Sequence, residues 1–279
     1  MNINQFRECL DLLSYSGFTL TEMESARIEN SLIILQNEYK LCDIFFLARI
    51  ETTGVGYYYI AFGYIKDILK DQQFFYSTNG YEWFVLPRVK PKRIEIAKKI
   101  KSYFQGDPAH VDFACLDPRE FVIEDDGSVI PCHRSLKKIK EEDRLSCFVA
   151  RLIHDSAVLP RGVLYRQVTQ CITFNPCFRG LSRLEAENLK NFQHFRTPIN
   201  GCNQNLLKRE DYNYQTDFFD TIDDDNSFSA KINDRNIGLI RSLKYPGMIS
   251  FHKLNSMYQG FVYLGNGQEN LDWQFMIPI

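Results

Sequence analysis

The chain has 279 residues, 44% of them hydrophobic, with 22 Phe and 15 Tyr and a formal net charge of -2. A chain of this length buries about three quarters of its unfolded surface, enough for one large core or two fused layers. The near-neutral charge argues against a general nucleic-acid binder, and no apolar run approaches the ~20 residues of a membrane helix.

The opening Met1-Asn-Ile-Asn-Gln-Phe-Arg7 has neither the basic nor the apolar region of a secretory signal. This points to a cytosolic chain whose eight Cys stay as thiols. Phe6, Cys9, Leu10 and Leu13 then recur at i, i+3, i+4 and i+7, the stripe of an amphipathic helix that Gly17 stops. Thr19 is placed as the next N-cap, with Glu22 closing a capping box. The helix that follows runs to about Lys40, with Met23, Leu32 and Leu35 inward and Glu24 and Glu29 in solvent. Residues 1–40 are thus expected as a helical segment packed on a main unit, 41–279, the two making effectively one structural body.

From Cys42 the apolar period drops from helical to two. Residues 43–50 and 57–62 read as strands joined through Gly54 and Gly56, and Phe74 to Val85 reads as a hairpin with a type I′ turn at Asn79-Gly80. Pro91 to Phe104 returns to helix, with Ile94, Ile96, Ile100 and Phe104 on one side and five Lys or Arg on the other. That basic face is a docking patch for an acidic surface or, more commonly, a solvated face. A second hairpin is expected around Asp126-Gly127, and a long helix from Leu136 to about His154 with Phe148, Val149, Leu152 and Ile153 buried. Val158 to Thr173 reads as one extended stretch ending in a strand. Ser182 to Phe192 reads as a helix capped by Ser182 and Glu185. Residues 197–226 are polar and irregular, a surface loop ending in clustered Asp residues. The last part, from Leu239 to Met276, alternates aromatic β-prone runs with Pro-Gly and Gly-Asn-Gly, the look of antiparallel strands and tight turns. The fold class is therefore α+β: an N-terminal helical pair, then mainly antiparallel sheets with interspersed helices.

Motifs for chemistry are missing. The Cys residues, at 9, 42, 115, 132, 147, 171, 177 and 202, never form Cys-x-x-Cys. Cys132-His133 and Cys171…Cys177 are the closest to half a metal site, and their spacing fits small buried side chains better. The Asp cluster fails as a calcium loop, because counting from Asp220 puts Asp225 at position six and Lys231 at twelve; it reads as solvated charge. The five His are scattered, and neither a nucleophile elbow nor a phosphate loop is present. His194, among Phe192, Phe195 and Arg196, fits a structural role better than a catalytic one. Trp83 and Trp273 fit core or interface anchors.

Several blocks carry a resemblance. Arg241-Ser-Leu-Lys-Tyr-Pro-Gly247, Gly260-Phe-Val-Tyr-Leu-Gly-Asn-Gly267 and Trp273-Gln-Phe-Met276 are similar to the radial spoke head protein nine family of motile cilia. Tyr58–Ala61, Glu82-Trp83 with Leu86-Pro87, Gly106-Asp-Pro108 and Leu159-Pro-Arg-Gly162 agree in order, as do Phe178–Ser182 with Glu185-Ala186, and His194-Phe-Arg196 with Pro198. The likeness spans essentially the whole chain and is weakest at 112–135. It implies a non-catalytic structural subunit of the spoke head in the axoneme, a cytoskeletal location within the cytoplasm. It implies a role in head assembly and in relaying signals between the central pair and the dynein arms. Its implied partners are the four/six-type spoke head proteins, MORN-repeat subunits and the spoke stalk scaffold, with no nucleic acid and no membrane. No cofactor and no catalytic or metal-binding residue is expected.

The candidate partner surface is Tyr258, Phe261, Tyr263, Trp273 and Phe275. Strand alternation places Phe261 and Tyr263 on one face and Tyr258 and Val262 on the other. A strand apolar on both faces needs two covers, and the second is expected from another chain. The residues alone also leave open a cytosolic enzyme whose site converges only in three dimensions. A pocket with perturbed titratable groups would favour that reading; broad dry contacts with other chains would favour the structural one.

Overall fold

The apolar alternation that begins at Asp43 and the one that ends at Gly265 are far apart in sequence and adjacent in space. The computed structural model describes residues 1–54, 56–115, 121–123, 129–131, 136–199 and 212–276. A 3-10 turn, Ile3–Gln5, leads into α1 (Phe6–Ser14) and α2 (Glu22–Glu38). A meander follows: β1 (Asp43–Glu51), β2 (Tyr57–Tyr64), β3 (Gln73–Ser77) and β4 (Phe84–Val85). Next come α3 (Pro91–Lys99), β5 (Val111–Cys115), β6 (Phe121–Ile123), β7 (Val129–Pro131) and β8 (Leu136–Lys140). α4 (Glu141–Ser156) precedes β9 (Val158–Pro160), β10 (Leu164–Arg166) and β11 (Ile172–Phe174). α5 (Arg183–Ala186), a 3-10 turn at Leu189–Asn191 and β12 (Phe192–His194) complete the middle. A second meander closes the fold, with β13 (Phe228–Ile232), β14 (Ile237–Ser242), β15 (Met248–Lys253) and β16 (Gln259–Gly265), and then a last 3-10 turn, Trp273–Met276.

The two meanders join into one eight-stranded sheet, ordered β13-β14-β15-β16-β1-β2-β3-β4. Every junction is antiparallel except β1 with β16, which is parallel and pairs Ala48 with Tyr263 and Ile50 with Gly265. Four two-stranded sheets, β5-β8, β6-β7, β9-β12 and β10-β11, come from the segment between the meanders. The expected α+β class with an N-terminal helical pair is what the chain forms.

Both faces of the large sheet are buried, which is why its central strands are nearly continuous apolar runs. One face carries Phe45, Ile50, Tyr58, Ile60, Phe62, Phe261 and Tyr263, packed on Leu145, Phe148, Val149 and Leu152 of α4. The other carries Ile44, Phe46, Ala61, Phe251, Val262 and Leu264, packed on Phe6, Cys9 and Leu13 of α1 and Ile28, Leu32 and Leu35 of α2. A bulge in β1 serves both: Phe46 pairs with Ala61 and Ala48 with Ile60, so Leu47 is an extra residue facing the α4 side. On that side Phe62 stacks with Phe45 at 4.9 Å and lies parallel to Phe261 at 6.1 Å, bridging β2 to β16 across β1. The Tyr245-Pro246-Gly247 turn requires its glycine: Gly247 sits at φ 97°, and a Cβ there would meet the Leu264 carbonyl oxygen at 2.2 Å.

Several local expectations are corrected. The capping box of α2 is Thr21 with Glu24, not Thr19 with Glu22. Thr21 sits directly before the first helical residue, and the two-residue shift turns Met23 out to solvent, 76% exposed. Glu24 is not solvated but receives the Tyr59 hydroxyl at 2.9 Å and faces Arg49 at 3.3 Å. At Asn79-Gly80 only Gly80 takes positive φ, so the turn is not type I′. Instead Asn79 Oδ1 accepts the N–H groups of Tyr81 and Glu82 in a longer loop. α3 stops at Lys99, and Phe104 leaves it to bridge Thr52 from the core.

Residues 136–140 are strand β8 rather than helix, because Ile139 is buried between exposed lysines while the stretch pairs with β5. The acidic run Glu141-Glu142-Asp143 then starts α4, favoured by the helix dipole. The stretch 158–173 holds β9, β10 and the start of β11, with β10 and β11 forming a hairpin. Residues 182–192 shorten to α5 and a 3-10 turn, although Ser182 and Glu185 do form the expected box. The 197–226 segment is solvated only in part where described: Tyr214 and Asp224 are exposed, while Asp217, Phe218, Phe219, Asp220 and Ile222 are buried. Asp217 takes a two-pronged contact from Arg161, at 2.5 and 2.6 Å. Residues 200–211 lie outside the described part. The expected hairpin near Asp126-Gly127 has its flanks, β6 and β7, paired antiparallel, while its turn lies outside the described residues.

Glu141, wholly buried, ties the layers together. Its carboxylate accepts the Tyr58 hydroxyl and the N–H groups of Gln105 and Gly106, each at 2.8 Å. Replacing Glu141 by Leu should leave the buried Tyr58 hydroxyl and two part-buried N–H groups without this acceptor and lower the unfolding free energy by about 2–4 kcal/mol. Tyr58→Phe, which removes one donor, should cost about 1–2 kcal/mol. Urea unfolding at pH 7 measures both.

Two histidines are packed as neutral core groups. His252 lies edge-on to Phe192 at 5.4 Å and over Gly238, where a Cβ would meet its ring at 2.2 Å. His194 sits against Phe228 at 5.7 Å. Burial lowers both to about 4, and Arg196 adds to the effect at His194, where Asp225 and Asp220 oppose it. The unfolded chain therefore takes up these protons first. The contribution of these two histidines to stability is full above about pH 6.5, falls as pH drops towards 4, and levels off below, by at most about 3 kcal/mol per histidine. The urea midpoint should fall between pH 7.5 and 5, and His252→Met should flatten that fall; an equal slope in the variant would refute the assignment.

Candidate interaction surface

The end of the chain is held by polar anchors and shows apolar side chains to solvent. After β16, the Gly267 N–H donates to the Tyr263 hydroxyl at 2.9 Å, and the Asn270 N–H donates to the Lys244 carbonyl at 2.8 Å. An ion-pair chain then fixes this stretch to α4: Arg151 to Glu269 at 2.9 Å, Glu269 to Lys244 at 3.4 Å, and Lys244 to Asp155 at 2.6 Å. Burial alone would raise the Asp155 carboxyl, but hydrogen bonds from His154 and Lys244 hold it below its ordinary value. Burial alone would lower Lys244, and the same contacts with Asp155 and Glu269 hold it above. Asn270 Nδ2 also donates to the Met276 Sδ at 3.4 Å, tying the 3-10 turn Trp273–Met276 to this anchored stretch. Leu271 is 63% exposed, Phe275 88% and Met276 59%, with Trp273 half-buried beside them. Clustered exposure of large apolar groups is the usual mark of a binding surface.

The five candidate residues separate into two groups. Phe261 and Tyr263 are buried on the α4 side, and Val262 is buried on the other, as the alternation requires. Tyr258 is half-buried against the α1 and α2 side. The second cover of β16 is this chain's own α1 rather than another chain, down to a contact of Cys9 Sγ with the Gln259 carbonyl at 3.9 Å. Trp273 and Phe275 alone of the five stand at the surface turn.

Aromatic side chains that the reading by segments did not assemble line a cleft of about 200 Å³: Phe45, Phe62, Phe174, Phe178, Phe195 and Phe261. Asp43 is the one ionisable side chain in its wall, and its carboxylate accepts the Tyr64 hydroxyl at 2.9 Å. Such a lining can hold an apolar side chain. The period-two spacing of Phe45, Phe62 and Phe261 within their strands was the signal for one wall; β11 and the loop to Phe178 supply the rest. One shifted group borders the cleft: burial lowers the Met1 α-amine to about 5, and it donates to the Phe46 and Phe261 carbonyls at 2.7 and 3.3 Å. Burial pushes the Cys9 and Cys147 thiols up to about 11, away from the reactive thiolate form. Among the described residues no group of three His, Cys, Asp or Glu side chains is placed to hold a metal ion. The Cys132-His133 pair lies outside the described part. Cys9, Cys42, Cys147, Cys171 and Cys177 are free thiols.

No protein-family model matches the chain. Curated relatives match nearly all of it. Radial spoke head protein 9 homolog of Danio rerio is 31% identical over 284 residues, covering 99% of this chain and 100% of the relative. The proteins of the same name in Bos taurus and Homo sapiens are each 32% identical, covering 96% of this chain and 97% of theirs. Identity at this level across the full fold, both meanders included, does not arise from a shared local motif. The chain belongs to the radial spoke head protein 9 family, and so to the structural proteins of the ciliary and flagellar axoneme.

Proposed function

We propose that this chain is a non-catalytic structural subunit of the radial spoke head, required for head assembly and for passing signals between the central pair and the dynein arms. The observation that carries the reading is the near full-length match to radial spoke head proteins. Its partners in this reading are the four/six-type spoke head proteins, MORN-repeat subunits and the stalk scaffold. The geometry supports it. Three layers are consumed in packing, the aromatic cleft offers a socket for an apolar side chain, and the apolar turn at Trp273–Met276 is presented on a polar mount. Residues 1–40 and 41–279 act in it as one rigid body, because α1 and α2 cover a whole face of the sheet.

The Trp273–Phe275 turn is the proposed contact with a neighbouring subunit. A buried aromatic anchor at an interface is worth more than the tenfold in affinity that 1.4 kcal/mol represents. Phe275→Glu should therefore leave the urea midpoint of the purified chain nearly unchanged, as for other surface positions. Recovery with other spoke components should fall at least about tenfold. Ciliated cells carrying the variant should keep cilia of normal length, with thinned spoke heads and an abnormal beat. Normal assembly and a normal beat would remove this turn from the interface.

A further inference from the structure

α2 buries one side only. Ile28, Leu32 and Leu35 face the sheet, while Met23 is 76% exposed and Ile34 66% exposed on the opposite side. Beside that outer face stands the loop that follows β3, carrying Tyr81, 65% exposed, and half-buried Trp83. The loop is pinned rather than free. Trp83 Nε1 donates to the Ser31 hydroxyl at 2.9 Å, and Arg27 donates to the Asn79 carbonyl at 2.9 Å with its guanidinium 4.8 Å over the Tyr81 ring. Between helix and loop runs an open groove of about 850 Å³. Its apolar lining is Met23, Ile34, Tyr81 and Trp83, and its rim carries Glu22, Glu38 and Glu82. Arg27 is the one cation in its wall, and it is already committed to the loop. Among the described residues no Lys or Arg pairs with Glu22, Glu38 or Glu82.

We propose that this groove docks an amphipathic helix of another axonemal protein, apolar along one face and flanked by Lys or Arg. The inference rests on the reading of the chain as an assembly subunit and names a second contact, independent of the Trp273–Met276 turn. Shape selects a helix. The 17 residues of α2 rise about 25 Å, so a partner helix laid alongside can reach Met23 and Ile34 with anchors three, four and seven residues apart. Charge selects its flanks. Three uncompensated carboxylates around an apolar floor repel an acidic segment and are neutralised by a basic one. A second copy of this chain is a poor occupant, since two-fold pairing along α2 would set the same carboxylates against each other.

The test uses the full chain in ciliated cells that lack the native protein. A photo-crosslinking residue replaces Ile34 or, in a second line, Met23; both side chains are exposed, so the fold is spared. Axonemes are irradiated and the crosslinked peptides sequenced. The expected product is one segment of a different protein, with apolar residues at helical spacing and flanking Lys or Arg. The crosslink yield should fall at least about tenfold when Glu22, Glu38 and Glu82 are all changed to Lys, with thermal unfolding of the purified chain unchanged. A crosslink to a second copy, a crosslink to an acidic segment, or an unaltered yield in the charge-reversed protein each overturns the proposal. Protein present in axonemes without a crosslink overturns it alone. Wild-type protein absent from axonemes overturns the assembly reading, and this proposal with it.

Discussion

The structure depends on one parallel pair. β1 and β16 are the only neighbours in the large sheet that run the same way, and without that pairing the two meanders are separate four-stranded sheets. A parallel pair cannot be closed by a tight turn; it needs a crossover. Here the crossover is nearly the whole chain, and its middle part folds back as α4 to cover the sheet face it has just created. Phe148 of α4 meets Tyr263 at 5.6 Å and Phe104 at 6.0 Å, so the cover grips both sides of the seam.

The middle segment is held to the sheet by a few buried charges with complete partner sets. Glu141 binds Tyr58 and two backbone N–H groups. Arg144 pairs with Asp112 at 2.8 Å and lies 4.4 Å over Phe104. Arg161 and Asp217 grip each other along two hydrogen bonds. Buried pairs of this kind add little net stability over apolar replacements, but each is expensive when only half-made. Their effect is to allow one arrangement of short elements that have little propensity of their own. The apolar groups left outside, at Trp273–Met276 and along α2, are therefore surplus to folding.

What was legible in the residues followed the strength of the local period. The central strands read through because a run such as 57–64 is short, rich in Tyr and Phe, and preceded by a Gly-containing turn, and the opposite facing of Phe261 and Val262 follows from the pleat alone. The start of α4 did not read through. Leu136-Lys-Lys-Ile-Lys140 has the composition of a helix, and only pairing with distant β5 makes it a strand. The Asp cluster misled in the same way. Asp217 looks solvated in a polar stretch, but its partner Arg161 lies far back in the chain, where no local pattern can announce it. The second cover of β16 was assigned to another chain because nothing in that strand says that α1 returns to it. The groove on α2 is not legible from the sequence, because a cap at Thr19 faces Met23 inward whereas the cap at Thr21 faces it out. Trp273 and Phe275 stand out in the sequence as aromatic residues beyond the Gly-Asn-Gly turn, and their exposure is visible only in the fold.

The position of the parallel seam also sets an order of events during synthesis. β1 leaves the ribosome about 200 residues before β16, which at 5–20 residues per second is roughly 10–40 s. Through that interval the edge of β1 is covered at Phe45 and Phe46 by Asn2 and Met1 and is open at Ala48–Ile50, where β16 later pairs, and contacts of such long sequence separation form slowly. Once β16 has docked, the edge is gone, and only a fully translated chain can present the finished surface to its neighbours. Closure of the large sheet is thus a late event, tied to synthesis of the second meander.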